Sequence, residues 1–325
     1  MIKKHLGNTD LQTAPIIFGG NVFGWTLDKE ESFTILDEFV DRGFNMIDTA
    51  NNYSYRVEGN VGTESEHIIG EWLKTRANRD QVIIATKVGG RNFIQKHPNT
   101  QKEHILKEVE ESLKRLNTDY IDLYQTHYDD ESTPVEETLS AYDKLIKEGK
   151  VRYIGASNIT AIRLKESLDK AEKYNLPKYA TLQPEYNLFD RQKFEEFLEP
   201  MCDKLQLGVI PYYSLASGFL SGKYRSIDDL GKSVRGKDIE KYLTPRGFSI
   251  LEGLDVLAQK YQVSLSAVAL HWLMNQKTII APIASATKST HISSFVEAAE
   301  LQMSTEDLKW LTDISRPVSY THLRA

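Results

Sequence analysis

Residues 81–158 read QVIIATKVGGRNFIQKHPNTQKEHILKEVEESLKRLNTDYIDLYQTHYDDESTPVEETLSAYDKLIKEGKVRYIGASN, and this stretch decides the fold. It opens on the β-rich run QVIIATK and passes into an apolar stripe at Ile105, Val109, Leu113 and Leu116. It returns to YIDLYQTH from residue 120, repeats the stripe at Val135, Leu139, Tyr142 and Leu145, and arrives at VRYIGASN from residue 151. The stripes follow the three-to-four spacing of a helix with one buried face, and the runs between them are strand-like. Alternation of this kind is the pattern of parallel strands joined by crossover helices.

The same cycle continues in both directions. Upstream lie PIIFGG from residue 15 and FNMIDTA from residue 44, with helical stripes at Phe33, Leu36, Phe39 and Val40 and at Ile68, Ile69, Trp72 and Leu73. Downstream lie YATLQPE from 179, LGVIPYY from 207 and TIIAPIAS from 278. Eight strands in series predict a (β/α)8 TIM barrel of the α/β class, forming a single domain over residues 1–316. The last interval, from residue 207 to 278, is about twice the others and predicts a long insertion between the seventh and eighth strands. Its Gly-rich, charged start, GFLSGKYRSIDDLGKSVRGKDIEKY, reads as a loop over a site, followed by helices in TPRGFSILEGLDVLAQKY and SLSAVALHWLMNQ. The leading IKKHLGNTDLQTA, with turn residues Gly7 and Asn8, predicts a β-hairpin laid under the barrel. Residues 317–325 show no period and read as a frayed tail or a non-native appendage.

Composition narrows the function. The chain has 325 residues, is 40% hydrophobic and 26% charged, and carries a net charge of −6, which fits a globular protein and disfavours nucleic acid or an anionic membrane as partner. No apolar run approaches the ~20 residues that span a bilayer, and MIKKHLGNTD lacks a signal-peptide core, so a soluble, cytoplasmic protein is expected. The single cysteine, Cys202, excludes an internal disulfide and reads as a core thiol. No two of the eight histidines show metal-ligand spacing with a third ligand nearby, so no metal is expected.

In such a barrel the reactive groups sit where strands end. Here the strand ends carry Asp48, Lys87, His127, Ser157 with Asn158, Gln183, Tyr212 and Ser285, and Tyr53 follows Asp48 by one turn. Strands also end in polar residues simply because water begins there, but Asp, Lys and His closing three successive strands suit carbonyl reduction. When hydride reaches a carbonyl carbon, charge builds on oxygen and a placed proton donor lowers the barrier. Tyr53 would donate, Lys87 would pull the phenol's pKa down, Asp48 would hold the ammonium, and His127 would align the oxygen. The alternative for Asp48 and Lys87 is a buried ion pair tying two strands together.

The frames FNMIDTANNYS, IIATKVG and DLYQTHYDD, with KKHLGNTDLQ, HIIGEWLK, VRYIGASN, TLQPEYNL and PYYSLASGFLSGKY in this order, resemble the aldo-keto reductase superfamily from Lys4 to about Ile314. The nearest flavour is the bacterial branch related to general-stress reductases and potassium-channel β subunits. The resemblance implies an NAD(P)H-dependent oxidoreductase with Asp48, Tyr53, Lys87 and His127 as catalytic residues. It implies Ser157, Asn158 and Gln183 on the nicotinamide amide, Tyr212 stacked on its ring, and Leu215, Ser217, Gly218, Leu220 and Lys223 at the pyrophosphate. Ser285, Thr287, Lys288 and His291 fall at the adenosine phosphate, where many relatives have basic residues at the positions of Ser285 and His291 and Asn at that of Phe295. No Asp or Glu stands in residues 285–295 to repel a phosphate, so NADPH is the expected cofactor, with NADH as the alternative.

Two other motifs fall away. GKSVRGKD, residues 231–238, approaches a phosphate-binding loop but follows no strand and has Asp238 where a hydroxyl is needed; its Arg235 either reaches a cofactor phosphate or faces water. The sequons at Asn52 and Asn158 look accidental in a cytoplasmic chain. The substrate, a small carbonyl compound, is expected against Val22, Phe23, Trp25, Tyr55, Arg56 and Tyr128. Arg56 either anchors a carboxylate or phosphate or simply faces water. A second reading of the whole chain is a cofactor-binding regulatory subunit with slow turnover, like a channel β subunit. No feature names an oligomeric partner.

Overall fold

Side chains alternate across a strand, so each strand of a closed barrel presents one row to the interior and the other to the surrounding helices. The computed structural model describes residues 1–92, 95–234 and 236–317. The hairpin is β1 (Lys4–His5) and β2 (Gln12–Thr13), antiparallel. The barrel runs β3 (Ile17–Gly19), α1 (Lys29–Asp41), β4 (Met46–Asp48), α2 (Glu64–Arg76), β5 (Ile83–Val88), α3 (Lys102–Arg115), β6 (Ile121–Thr126), α4 (Val135–Lys147), β7 (Val151–Ser157), α5 (Ala161–Tyr174) and β8 (Thr181–Gln183). It continues with α6 (Glu199–Leu205), β9 (Gly208–Val209), α7 (Pro245–Tyr261), α8 (Leu265–Met274), β10 (Ile283–Ala284), α9 (Ser289–Glu300) and α10 (Thr305–Ile314).

Seven barrel strands fall inside the runs read from the sequence, β5 passes its run by one residue to Val88, and all eight pair in parallel in the order β10-β3-β4-β5-β6-β7-β8-β9. The ends of that order meet: Val209 N donates to Thr278 O at 3.3 Å, and Ile280 N donates to Val209 O at 2.9 Å. The sheet is thus a closed (β/α)8 barrel. The insertion between β9 and β10 holds α7, α8 and a set of short 3-10 turns. Helix starts are fixed locally: Asp28 and Glu31 form a reciprocal capping box on α1, and Thr244 caps α7 with Pro245 in its first turn.

Inside the barrel the chemistry changes with height. Ile17, Met46, Ile83, Ala85, Leu123, Ile210 and Ile283 form an apolar layer with Leu6 and Leu11 of the hairpin, which closes the floor. Two residues further along the same inward rows stand Gly19, Asp48, Lys87, Gln125, Tyr212 and Ser285. The outward rows, including Phe18, Ile47, Ile84 and Tyr124, pack with the helices in the main core. Cys202 is buried in that core, its thiol pushed up to about 12 by burial. Residues 318–325, which include most of the expected tail, lie outside the described residues. No helix among the described residues is long and apolar enough to cross a membrane.

Gly155 on β7 faces inward at the crowded height where this change occurs: a Cβ there would lie 2.3 Å from Thr181 Oγ1 and 3.2 Å from Gln125 Cγ. Gly155→Ala is expected to lower stability by about 2 kcal/mol through overpacking. Urea denaturation checks this, and an unchanged midpoint would contradict the packing described.

Candidate active site

Asp48 ends β4 on the inward row begun by Met46 and is 1% exposed. Lys87 reaches it from the neighbouring β5 and is fully buried. Lys87 Nζ donates to Asp48 Oδ2 at 2.6 Å, to Thr49 O at 2.8 Å and to the Tyr53 hydroxyl at 2.5 Å, so all three ammonium hydrogens are engaged. Tyr53 comes from the turn after β4, stitched to the sheet where Thr49 N donates to Ala85 O at 2.8 Å. Its hydroxyl donates to Asp48 Oδ2 at 3.2 Å. On the other oxygen, Asp48 Oδ1 accepts from Gln183 Nε2 at 2.8 Å and Gln125 Nε2 at 3.1 Å. Four side chains from four different segments therefore share one carboxylate.

The electrostatics differ from the sequence expectation in one respect. The Tyr53 phenol is held well above its ordinary pKa, first by burial and then by the Asp48 carboxylate, rather than pulled down by Lys87. The ammonium itself is lowered, because burial outweighs the favourable charges of Asp48 and Glu66. At neutral pH the phenol thus keeps its proton, with an ammonium touching its oxygen.

His127 follows β6, its N–H donating to Val88 O at 2.8 Å, and its ring lies edge-on to Tyr53 with centroids 5.9 Å apart. Burial, then the Lys87 charge, hold its pKa well below the usual imidazole value, so the ring is neutral. Nδ1 is buried without a hydrogen-bond partner among the described residues. An unpaired buried N–H costs more than an unpaired acceptor, which places the ring hydrogen on Nε2.

Around this centre the rim residues hold one another. Ser157 Oγ donates to Gln183 O at 2.8 Å, Asn158 Nδ2 donates to His127 O at 2.9 Å, and the Tyr212 hydroxyl donates to Asn158 Oδ1 at 2.9 Å. Gln183, expected on a nicotinamide amide, here points its Nε2 at Asp48. Gln125 was not singled out from the sequence, although it sits two residues before His127 on the inward row and alternation alone exposes it.

Beyond Tyr212 the backbone turns left-handed at Tyr213, Ala216, Ser217 and Gly218, with φ of 54°, 48°, 56° and 97°. Such turns aim N–H groups at an anion, and three non-glycine residues in strained conformations mark a functional loop. Lys223 lies beside Gly218, where an added Cβ would come within 3.8 Å of its Nζ. Leu215 is half-buried, and Leu220 is a core residue whose N–H already donates to Leu215 O at 3.2 Å. Lys288 precedes α9 and His291 lies in its first turn, where His291 Nδ1 accepts from Thr287 N at 3.1 Å. The imidazole is lowered by burial and then by the charges of Lys288 and Lys223, two lysines from different segments of the chain. Ser285 instead bonds Gly19 O and Asn21 Oδ1, both at 2.7 Å. Phe295 is buried edge-on against Phe44, with centroids 6.3 Å apart, which accounts for an apolar residue at that position. Arg235 lies outside the described residues. Left-handed turns, neighbouring cations and amide-bearing side chains together fit a dinucleotide.

The rings of Tyr128 and His127 are 4.8 Å apart, and Arg56 Nε donates to the Tyr55 hydroxyl near them, while Trp25, on the turn after β3, is 36% exposed. Val22 and Phe23, expected on the same wall, are core residues instead. After β3 the chain folds into a 3-10 turn that buries both, and Phe23 stacks on Phe18 with centroids 5.2 Å apart. No three His, Cys, Asp or Glu side chains form a metal-ligand group among the described residues.

The sequence model of the aldo/keto reductase family matches residues 15–316. Similar curated proteins include the aldo-keto reductase YhdN of Bacillus subtilis, 33% identical over 305 residues, covering 91% of this chain and 86% of that one. The uncharacterized oxidoreductase YrpG of the same bacterium is 32% identical over 320 residues, covering 95% and 94%. A probable voltage-gated potassium channel subunit beta of Oryza sativa subsp. japonica is 31% identical over 310 residues, covering 92% and 91%.

Because His127 is buried neutral, the unfolded state binds its proton first as pH falls through ~6.5, and folding stability is lost in that window. Urea midpoints should therefore drop on mild acidification, and His127→Gln should make that drop shallower. Equal slopes for the two proteins would contradict a buried, uncharged imidazole.

Proposed function

The chain belongs to the aldo/keto reductase family, and from that membership we propose that it reduces aldehydes or ketones to alcohols using NADPH, with Tyr53 as proton donor. The observation that carries the reading is the contact of the Tyr53 hydroxyl with both Lys87 Nζ, at 2.5 Å, and Asp48 Oδ2, at 3.2 Å. When bound, the dinucleotide supplies the hydride. Ser157 and Asn158 would hold its nicotinamide amide, Tyr212 its ring, the 215–220 backbone with Lys223 its pyrophosphate, and Thr287, Lys288 and His291 the adenosine phosphate. Gln183 and Ser285 would act from behind, Gln183 on Asp48 and Ser285 on Gly19 and Asn21.

The protein's own part is proton placement. His127, neutral and with its hydrogen on Nε2, donates a hydrogen bond to the carbonyl oxygen and holds it near Tyr53. Burial keeps the phenol protonated until charge develops on that oxygen, a stronger base than phenolate. As the proton leaves, Lys87 stabilises the phenolate through the contact already in place, and Asp48 keeps the ammonium aimed. Preference for NADPH over NADH is supported by Lys288 beside His291, where a 2′-phosphate would gain a charge-assisted hydrogen bond from the ammonium.

A second reading, a regulatory subunit that holds cofactor and turns over slowly, follows from the similarity to the rice channel subunit. Continuous loss of NADPH absorbance with a reactive aldehyde tests the two, since a regulatory subunit would stop after about one equivalent. Tyr53→Phe is expected to lower kcat by about 10²–10⁴-fold while leaving NADPH affinity nearly unchanged. Full retained activity would remove the phenol from the chemistry. Lys288→Glu is expected to weaken NADPH about tenfold or more and NADH far less, measured by paired fluorescence titrations. Equal effects would place the phosphate elsewhere.

A further inference from the structure

The mouth of the site carries two guanidinium groups, and neither pairs with a carboxylate among the described residues, in a chain with 46 acidic and 40 basic residues. Arg56 stands three residues after Tyr53. Its Nε donates to the Tyr55 hydroxyl at 2.8 Å, which fixes the stem of the fork. Tyr128 and Tyr213 also lie near it. Arg91 comes from the loop after β5: its carbonyl accepts from Asn52 Nδ2 at 2.7 Å, and its guanidinium lies 5.7 Å from the centroid of the Tyr128 ring.

Tyr128 links both arginines to the reacting centre. Its ring touches His127, and it stands near both Tyr53 and Arg56. Three carboxylates near this face are already engaged: Asp129 pairs with Arg163 at 3.1 Å, Asp130 accepts from Thr133 Oγ1 at 2.7 Å, and Glu185 faces Lys241 at 3.6 Å. The backbone beneath is fixed too, because Gly90 packs directly on Asn52 and His127.

A guanidinium beside a substrate carbonyl finds its best partner in a carboxylate, whose two oxygens match the fork. From this placement we infer that the substrates are carbonyl compounds bearing a carboxylate on a flat, apolar body, the anion held by Arg56 and Arg91 while the carbonyl lies at Tyr53 and His127. The inference rests on the reductase reading above and adds the class of substrate. Trp25, Tyr55 and Tyr128 supply the apolar wall for that body.

The test compares 4-carboxybenzaldehyde with its neutral ester, methyl 4-formylbenzoate, under steady-state conditions with NADPH. The acid is expected to show the higher kcat/KM, by about tenfold or more, expressed mainly in KM and shrinking as salt is added. Arg56→Gln and Arg91→Gln should each lower the acid-to-ester ratio about tenfold, and Arg56→Lys should keep part of it. Equal rates for the two aldehydes in the unaltered protein, or an unchanged ratio in both Gln variants, would overturn the inference and leave the reductase reading standing. Failure to reduce either aldehyde while NADPH still binds would overturn both.

Discussion

The carboxylate of Asp48 accepts four hydrogen bonds, two on each oxygen, and the geometry of the rim follows from it. Lys87 and Tyr53 meet on Oδ2, while Gln125 and Gln183 meet on Oδ1. Those partners come from β5, from the turn after β4, from β6 and from β8. A buried carboxylate with an open acceptor would be costly, and a buried ammonium with an unmatched hydrogen equally so. Each group here fills the vacancy of another, so the cluster has few alternative arrangements. A lysine held this way cannot swing toward solvent, and the phenol it touches inherits that fixed position.

The barrel makes the cluster affordable in a dry setting. Most inward rows begin apolar and end polar, so the charged pair sits directly above a layer of Ile, Leu, Met and Ala side chains rather than above water. Low polarity beneath it pushes the phenol up and the ammonium and imidazole down. Desolvation therefore sets the protonation states, and the short contacts set what those states can do. Parallel pairing of β4 with β5, Asp48 opposite Ala85, brings the aspartate and lysine side by side without any loop having to be ordered.

Much of this was legible in the sequence, for a physical reason. Strands of a closed barrel are buried on both sides and their helices carry one apolar stripe, so periodicity locates all eight strands and the first four crossover helices, while α5 and α9 were not read. Asp48, Lys87 and His127 were visible as polar residues where apolar rows stop. What escaped was whatever depends on three-dimensional neighbours. Val22 and Phe23 look like mouth residues by position, yet a short 3-10 turn buries them against Phe18. Gln183 also bonds, through Nε2, the carboxylate across the barrel, a partner no spacing reveals. The direction of the phenol's shift depends on burial depth, which no spacing rule reports. Gln125 and Arg91 were overlooked differently: one was recoverable from strand alternation, the other lies in a loop whose course only the fold supplies.

The hairpin under the barrel has a consequence of another kind. Leu6 and Leu11 plug the end where the strands begin, and Leu6 N donates to Leu11 O at 2.9 Å to hold the plug shut. The interior is thus a cup with a sealed base, and all traffic of small molecules passes through the opposite opening. Attachment of a tether, a surface or a fusion partner through the first few residues would leave that opening unobstructed, with the full height of the barrel between anchor and chemistry.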